Sequence, residues 1–351
     1  MSGHASVRPA LRFGAAPLWA VSSLAVGVLV LLSVGTGAVP IGVSTVVALL
    51  LEPLGRVAEA SEVEATVLWA LRLPRVLLAA VVGGGLSLAG ALTQGLFRNP
   101  LADPGLLGVS AGASLAAALA LVLGAGALGA WASAAAVSAA AFLGGLAATL
   151  LVVAIATVDG RPAVATMLLG GIAVNAMAGA GLGLLLTVAD DAQLRSITFW
   201  MLGSVAGATW PAVGVAVGAV LLPAVLALRW AGALDAMLLG ATDAAMVGVD
   251  TVQVQRGVVA VVAIVVGVCT SLCGVVGFLG LVVPHLARLL VGPSHRRLLP
   301  MSLILGAGLL TAADLVARVV VAPAELPVGL ITTLLGGPFF VGLLLQRRGR
   351  A

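Results

Sequence analysis

Long apolar stretches, broken by short polar or charged interruptions, run through almost the whole chain. A helix rises 1.5 Å per residue and a bilayer hydrocarbon core is about 30 Å thick, so about 20 apolar residues make one crossing. On that measure the pattern predicts spans near 16–38, 76–97, 105–125, 128–157, 163–188, 210–230, 257–274, 275–292, 299–318 and 327–346. The run from Val258 to Val291 is nearly continuous, but a single helix of that length would measure about 50 Å, too much for one crossing. Gly274, Gly277 and Gly280 supply the break. Leu18–Val39 follows a basic start and has the outline of a secretory leader. It is too long for a leader's apolar segment and lacks a clear cleavage site, so it reads as the first span. The expected fold is therefore an all-α integral membrane protein with about ten transmembrane helices, both termini on one side and no soluble domain.

Composition sharpens this. Of 351 residues, 62% are hydrophobic and only 9% charged, against about 25% charged in a soluble domain. Disorder, collagen and coiled coil are excluded by the same long apolar runs. All seventeen Lys+Arg positions are arginines, so the chain contains no lysine. A nucleotide-binding P-loop requires a lysine on the phosphates. If cargo is moved at the expense of ATP, another polypeptide hydrolyses it. Cys269 and Cys273 sit four apart in an apolar run and read as small core residues; they suggest neither a disulfide framework nor a metal cluster.

Charge placement gives the orientation. With the termini in the cytoplasm, twelve arginines lie inside and five (Arg56, Arg72, Arg75, Arg195 and Arg318) outside, as the positive-inside rule requires. The outer side then holds Glu52, Glu59, Glu62, Glu64, Asp190, Asp191 and Glu325. Glycine clusters at 83–85 and at Gly179, Gly181 and Gly183 predict closely packed helices rather than lipid-facing surface.

Several strings carry more specific information. Arg72-Leu-Pro-Arg75 opens the second span, with Pro74 suited to a first helical turn. Gln94, Arg98, Asn99, Pro100 and Pro104 close it and turn the chain. Pro284-His285 with Arg288, Asp314 with Arg318, and Glu325-Leu-Pro327 with Gly329 follow in that order. Together these resemble the FecCD family, the permease subunits of ABC importers for ferric siderophores, haem and cobalamin. The resemblance covers almost the whole chain, from Leu71 to Leu345. It implies a type II ABC importer permease fold, with residues 1–351 as a single transmembrane domain. Cytoplasmic tails would occupy 1–15 and 347–351, and a coupling loop about 231–256.

The resemblance also implies roles and partners. Arg72, Arg75 and Arg318 match family positions that face acidic residues on the two lobes of a periplasmic or lipid-anchored substrate-binding protein. Simple interfacial anchoring competes for Arg72 and Arg75, and a helix ion pair with Asp314, four residues earlier, competes for Arg318. The stretch containing Gly240, Ala241, Ala244, Ala245, Met246, Val247 and Gly248 resembles the cytoplasmic coupling helix that sits in a groove of the ATPase. There, small residues permit close approach and Met246 and Val247 act as apolar plugs. Ala163, Val164, Ala165 and Thr166 fall at the inner gate, where cobalamin transporters carry hydroxyls; this chain is mainly apolar there. Residues 188–210, with Trp200, Met201, Gly203, Ser204 and Trp210, resemble a short outer helix and are closest in wording to the haem-import branch. The implied setting is the bacterial inner (plasma) membrane, with a second permease copy and a separate ABC ATPase subunit. Cofactors are expected only there, as the ATPase's ATP and magnesium.

Competing readings are weaker. Gly108-Val-Ser110-Ala-Gly112 matches the nucleophile-elbow pattern, but that motif needs a strand-to-helix turn and here falls in an expected membrane helix. His285 is expected to be structural rather than a haem ligand, and no metal site is expected. An ion-coupled secondary transporter normally needs acidic or histidine relays at mid-membrane, whereas the charges here cluster at helix ends. The expectation is a non-enzymatic permease for a large iron chelate, haem first, then a ferric siderophore or cobalamin.

Overall fold

The computed structural model describes residues 15–37, 41–52, 61–124, 130–158 and 160–348. The expected tails fall almost wholly outside the described residues, as do Arg56 and Glu59. The chain is a bundle of helices: α1 Ala15–Gly35, α2 Val43–Leu51, α3 Glu62–Thr66, α4 Leu73–Leu96, α5 Val109–Gly124, α6 Ala130–Ala156, α7 Val164–Val188, α8 Asp191–Met201, α9 Trp210–Arg229, α10 Ala231–Met237, α11 Ala241–Met246, α12 Thr251–Cys273, α13 Leu279–Val291, α14 His295–Val319 and α15 Val328–Arg348. Among the described residues, seven helices are long and apolar enough to cross a membrane, and α5, α13 and Val328–Leu343 of α15 are shorter apolar helices. Each of the ten expected spans is a helix.

The second span is longer than the apolar pattern shows. It runs from Glu62 to Leu96 because α3 continues through a widened π turn, Val67–Arg72, into α4. That turn lies just before Pro74, which has no N–H to donate to it. Ser61 starts the helix with a reciprocal cap: its Oγ accepts from Glu64 N–H at 3.2 Å, while Glu64 Oε2 accepts from Ser61 N–H at 2.9 Å.

Helix α4 is the central pillar, 83% buried over its apolar window, against 11% for α1 and 17% for α7. It packs antiparallel on α14 in a register held along both helices. Arg75 meets Asp314 near one end, Gly83 lies on the backbone of Gly306 in the middle, and Gly95 faces His295 at the other end. Helices α9, α12 and α13 complete the ring around α4, with Gly85 against Val220, Val265 and Cys269 and Gly90 against the backbone of Gly280. Close backbone approach of this kind, through missing side chains, is how helices associate where lipid supplies no hydrophobic drive.

A second layer, α5 to α7, leans on this core. Gly112 packs on Gly144 and Ala148, so the elbow-like Gly108–Gly112 string is a small-residue helix contact with no preceding strand. The break between α12 and α13 lies at the expected glycines: Gly274 (φ 70°) ends α12, and Phe278 (φ 66°) precedes α13. A short antiparallel pair, Thr157–Val158 with Arg161–Pro162, links α6 to α7 and was not foreseen. The second glycine cluster corrects the sequence reading. Gly179 and Gly183 of α7 have open space where a side chain would project, and only Gly181 touches a neighbour, Leu115. Large apolar side chains such as Leu24, Leu150, Leu169, Met177 and Leu184 cover the sides of the bundle and are exposed.

Candidate docking and coupling sites

The two ends of the α4–α14 pair carry different chemistry. At one end a basin of about 600 Å³ is lined by Arg72, Arg75, Arg318 and Glu325, with Thr36, Gly37 and Pro323 among its walls. The structure thus brings together all three arginines picked out from the sequence, though 243 positions separate the last from Arg75 in the chain.

Beneath the basin each guanidinium is anchored. Arg72 is buried and its Nη1 donates to the carbonyls of Val34 (2.9 Å) and Gly35 (3.1 Å), where α1 ends. Arg75 donates from Nε (3.0 Å) and Nη2 (2.9 Å) to Oδ1 of Asp314, and from Nη1 to both oxygens of Glu325 at 2.9 Å. Arg318 places Nε 3.1 Å from Oδ2 of Asp314 and donates from Nη2 to the Ser33 hydroxyl (2.6 Å) and from Nη1 to the Thr36 carbonyl (3.0 Å). Asp314 is buried, with its side chain 1% exposed, whereas Glu325 is 43% exposed. One buried carboxylate therefore holds two guanidiniums in place, which fixes their planes toward the basin. The helix pair between Asp314 and Arg318 is the competitor foreseen from their spacing. The pairing of Arg75 with Asp314 and Glu325 was missed, because partners 239 and 250 positions away leave no local signal.

At the other end the chain leaves the bundle as α10 and α11. Gly240 (φ 143°) forms the corner between them and Gly248 (φ 88°) the exit, conformations that favour glycine. Leu239, Met246 and Val247 are 80%, 78% and 74% exposed, and Leu238 is exposed beside them. Four large apolar side chains on a segment outside the spans form a patch that water alone does not favour. Leu238 and Leu239 were not picked out as contact residues from the sequence. Of the small residues that were, Ala245 and Gly248 are exposed, Gly240 and Ala241 half-buried, and Ala244 packs into the core.

The residues expected at the inner gate, 163–166, lie at the start of α7. Ala165 is exposed, while Ala163, Val164 and Thr166 are half-buried. The turn before them is fastened by Arg256, whose Nη2 donates to the Gly160 carbonyl at 2.6 Å. The expected outer helix is α8, capped by Asp190, whose Oδ1 accepts from the N–H groups of Ala192 (2.9 Å) and Gln193 (2.8 Å). Beyond it Trp210 Nε1 donates to the Trp69 carbonyl at 2.9 Å, and the two rings lie tilted by 34° with their centres 6.4 Å apart. His285 meets the edge of Phe339, ring centres 5.9 Å apart. Among the described residues no group of three His, Cys, Asp or Glu could hold a metal ion.

The model of the FecCD transport family matches residues 25–346, nearly the whole chain. The chain belongs to the FecCD transport family. This FecCD permease is 45% identical over 278 residues to the hemin transport system permease protein HmuU of Yersinia pestis, covering 79% of this chain and 83% of that one. It is 42% identical to the cobalamin import system permease protein BtuC of Halobacterium salinarum, covering 80% and 74%. The vitamin B12 import system permease protein BtuC of Vibrio cholerae is also 42% identical, covering 82% and 85%. The fold of this chain superposes, with a TM-score of 0.82 and 28% identity, on a structure described as an inward-facing conformation of a metal-chelate type ABC transporter, covering 94% of this chain and 99% of that one. The FecCD permease is thus a multi-pass membrane protein of the ABC importer class, with a type II permease fold.

Proposed function

We propose that this permease moves haem across the bacterial inner membrane as one half of a homodimer, driven by a separate ABC ATPase and supplied by a substrate-binding protein. The observation that carries this reading is the polarity of the α4–α14 pair. An arginine-lined basin crowns one end and an exposed apolar hairpin, α10–α11, leaves the other. The basin meets acidic side chains of the binding protein through Arg72, Arg75 and Arg318. Gly240, Ala241, Ala245, Met246, Val247 and Gly248, with Leu238 and Leu239, sit against the ATPase, and Ala244 packs the hairpin onto the bundle. Residues 163–166 form the inner gate. Both termini lie in the cytoplasm, consistent with the inner excess of arginine. ATP binding in the partner shifts the population between outward and inward access, so no chemistry takes place in this chain.

Haem is favoured as cargo by the 45% identity to the hemin permease and by the apolar gate. Cobalamin is the second reading, supported by the 42% identity to the two cobalamin permeases. The docking surface is tested by reversing Arg72 and Arg75 together to glutamate in the purified complex. Charge reversal of these largely buried basin arginines is expected to weaken capture of the binding protein by about tenfold or more. Unchanged capture by a folded complex would leave these arginines as helix anchors only.

A further inference from the structure

We infer that Asp235 and His295 form the joint through which α10–α11 drives α14, and with it the arginines at the far end. The inference rests on the coupling role proposed above for residues 240–248. Asp235 lies on α10, outside the spans, and its carboxylate receives three donors from the start of α14. Oδ1 accepts the His295 backbone N–H at 2.8 Å and lies 2.6 Å from His295 Nδ1, while Oδ2 accepts the Ser294 hydroxyl at 2.8 Å. Ser294, the capping residue of α14, makes no side-chain cap of its own. The helix start is therefore capped from another element, the one that leads directly into the exposed hairpin.

His295 carries the contact inward. It is 1% exposed, and its far edge faces Gly95, where a Cβ would stand 2.5 Å from Nε2. The imidazole is thus wedged between Asp235 of α10 and the end of α4, with no slack for a side chain at Gly95. Beside it Gln94 is also engaged, its Oε1 accepting from Arg288 Nη2 at 3.0 Å and its Nε2 donating to the Gly280 carbonyl at 3.3 Å. Leu234 and Met237 of α10 are buried and pack nearby. Apolar contacts of that kind can slide, whereas three convergent hydrogen bonds on one carboxylate fix direction as well as distance. A tilt of α10 then pulls the first turn of α14. Over 25 residues that helix extends about 37 Å, and its last turn carries Arg318 beside Asp314. Asp235 and His295 are positioning residues in this account, acting through α14 rather than on cargo.

The test uses the complete complex, permease with its ATPase and binding protein, in proteoliposomes, and reads cargo delivered per ATP hydrolysed. Asp235→Ala and His295→Phe are expected to keep ATP hydrolysis within about twofold while uptake falls by about tenfold, a typical coupling factor. His295→Asn keeps a donor close to the Nδ1 position and is expected to recover most of the uptake; Asp235→Asn keeps an acceptor for the backbone N–H and is expected to fall between. Uptake per ATP unchanged in Asp235→Ala would overturn the joint. So would a parallel fall of uptake, hydrolysis and melting temperature without rescue by His295→Asn, which marks a merely structural contact. Leu239→Asp with Met246→Asp separates the two readings: if the ATPase still co-purifies with that variant, the coupling surface itself is wrong, whatever Asp235 does.

Discussion

Asp314 shows what one residue does here. Its carboxylate is buried and shared by Arg75 and Arg318, whose side chains are themselves only 13% and 8% exposed. Asp314→Ala would leave two guanidiniums without their common partner, and losing one member of a buried ion pair costs about 3–5 kcal/mol. A clear drop in the melting temperature of the detergent-purified protein is the expected outcome; an unchanged melt would show that Glu325 and the carbonyls of Ser33 and Thr36 suffice. Half of this cluster was legible in the sequence. Asp314 and Arg318 stand four apart on an evident helix, and that spacing alone places them side by side. Arg75 reaches Asp314 only because α4 and α14 run antiparallel in a fixed register, and no local pattern in one sequence records a register between helices. Leu238 and Leu239 were passed over for a related reason: they fall inside the expected coupling loop at 231–256, but no local pattern says which apolar side chains of a loop face outward.

Between elements, the α4–α14 contact is set by absent side chains. A Cβ on Gly83 would run into the carbonyl of Gly306 and the Cβ of Leu310, and a backbone carbonyl within a helix cannot step aside. Gly83→Val is therefore expected to destabilise the bundle by about 3 kcal/mol or more, at or beyond the upper end of overpacking penalties. Gly27→Val on α1, with open space around it, is expected to change little. Thermal melts of the two variants side by side check this, and equal melts would remove the close contact from the account. The glycine triplet at 83–85 announced such packing, yet the same reasoning failed at Gly179 and Gly183. Glycine content reports that backbones can approach, and only the neighbouring helix decides whether they do. The break at residues 274–278 was legible because length forbade a single helix there, whereas the start at Glu62 was not, because Glu62, Glu64, Arg72 and Arg75 interrupt the apolar run that marks a span.

At the level of the whole molecule, the described residues hold ten apolar helices with an arginine basin at one end of the α4–α14 pair and an exposed apolar hairpin at the other, the two surfaces proposed above for the binding protein and the ATPase. The bundle itself was readable from periodicity and length, since a membrane imposes both. Cargo was less so: a chain that is 62% hydrophobic and 9% charged offers few side chains that distinguish one large ligand from another. The most direct measurement is uptake into proteoliposomes holding the permease with its binding protein and ATPase, with haemin and cobalamin offered separately. Haemin accumulation that requires ATP, the ATPase and the binding protein is expected, with little cobalamin taken up. Haemin entering without the ATPase, or cobalamin entering in its place, would contradict the proposed function.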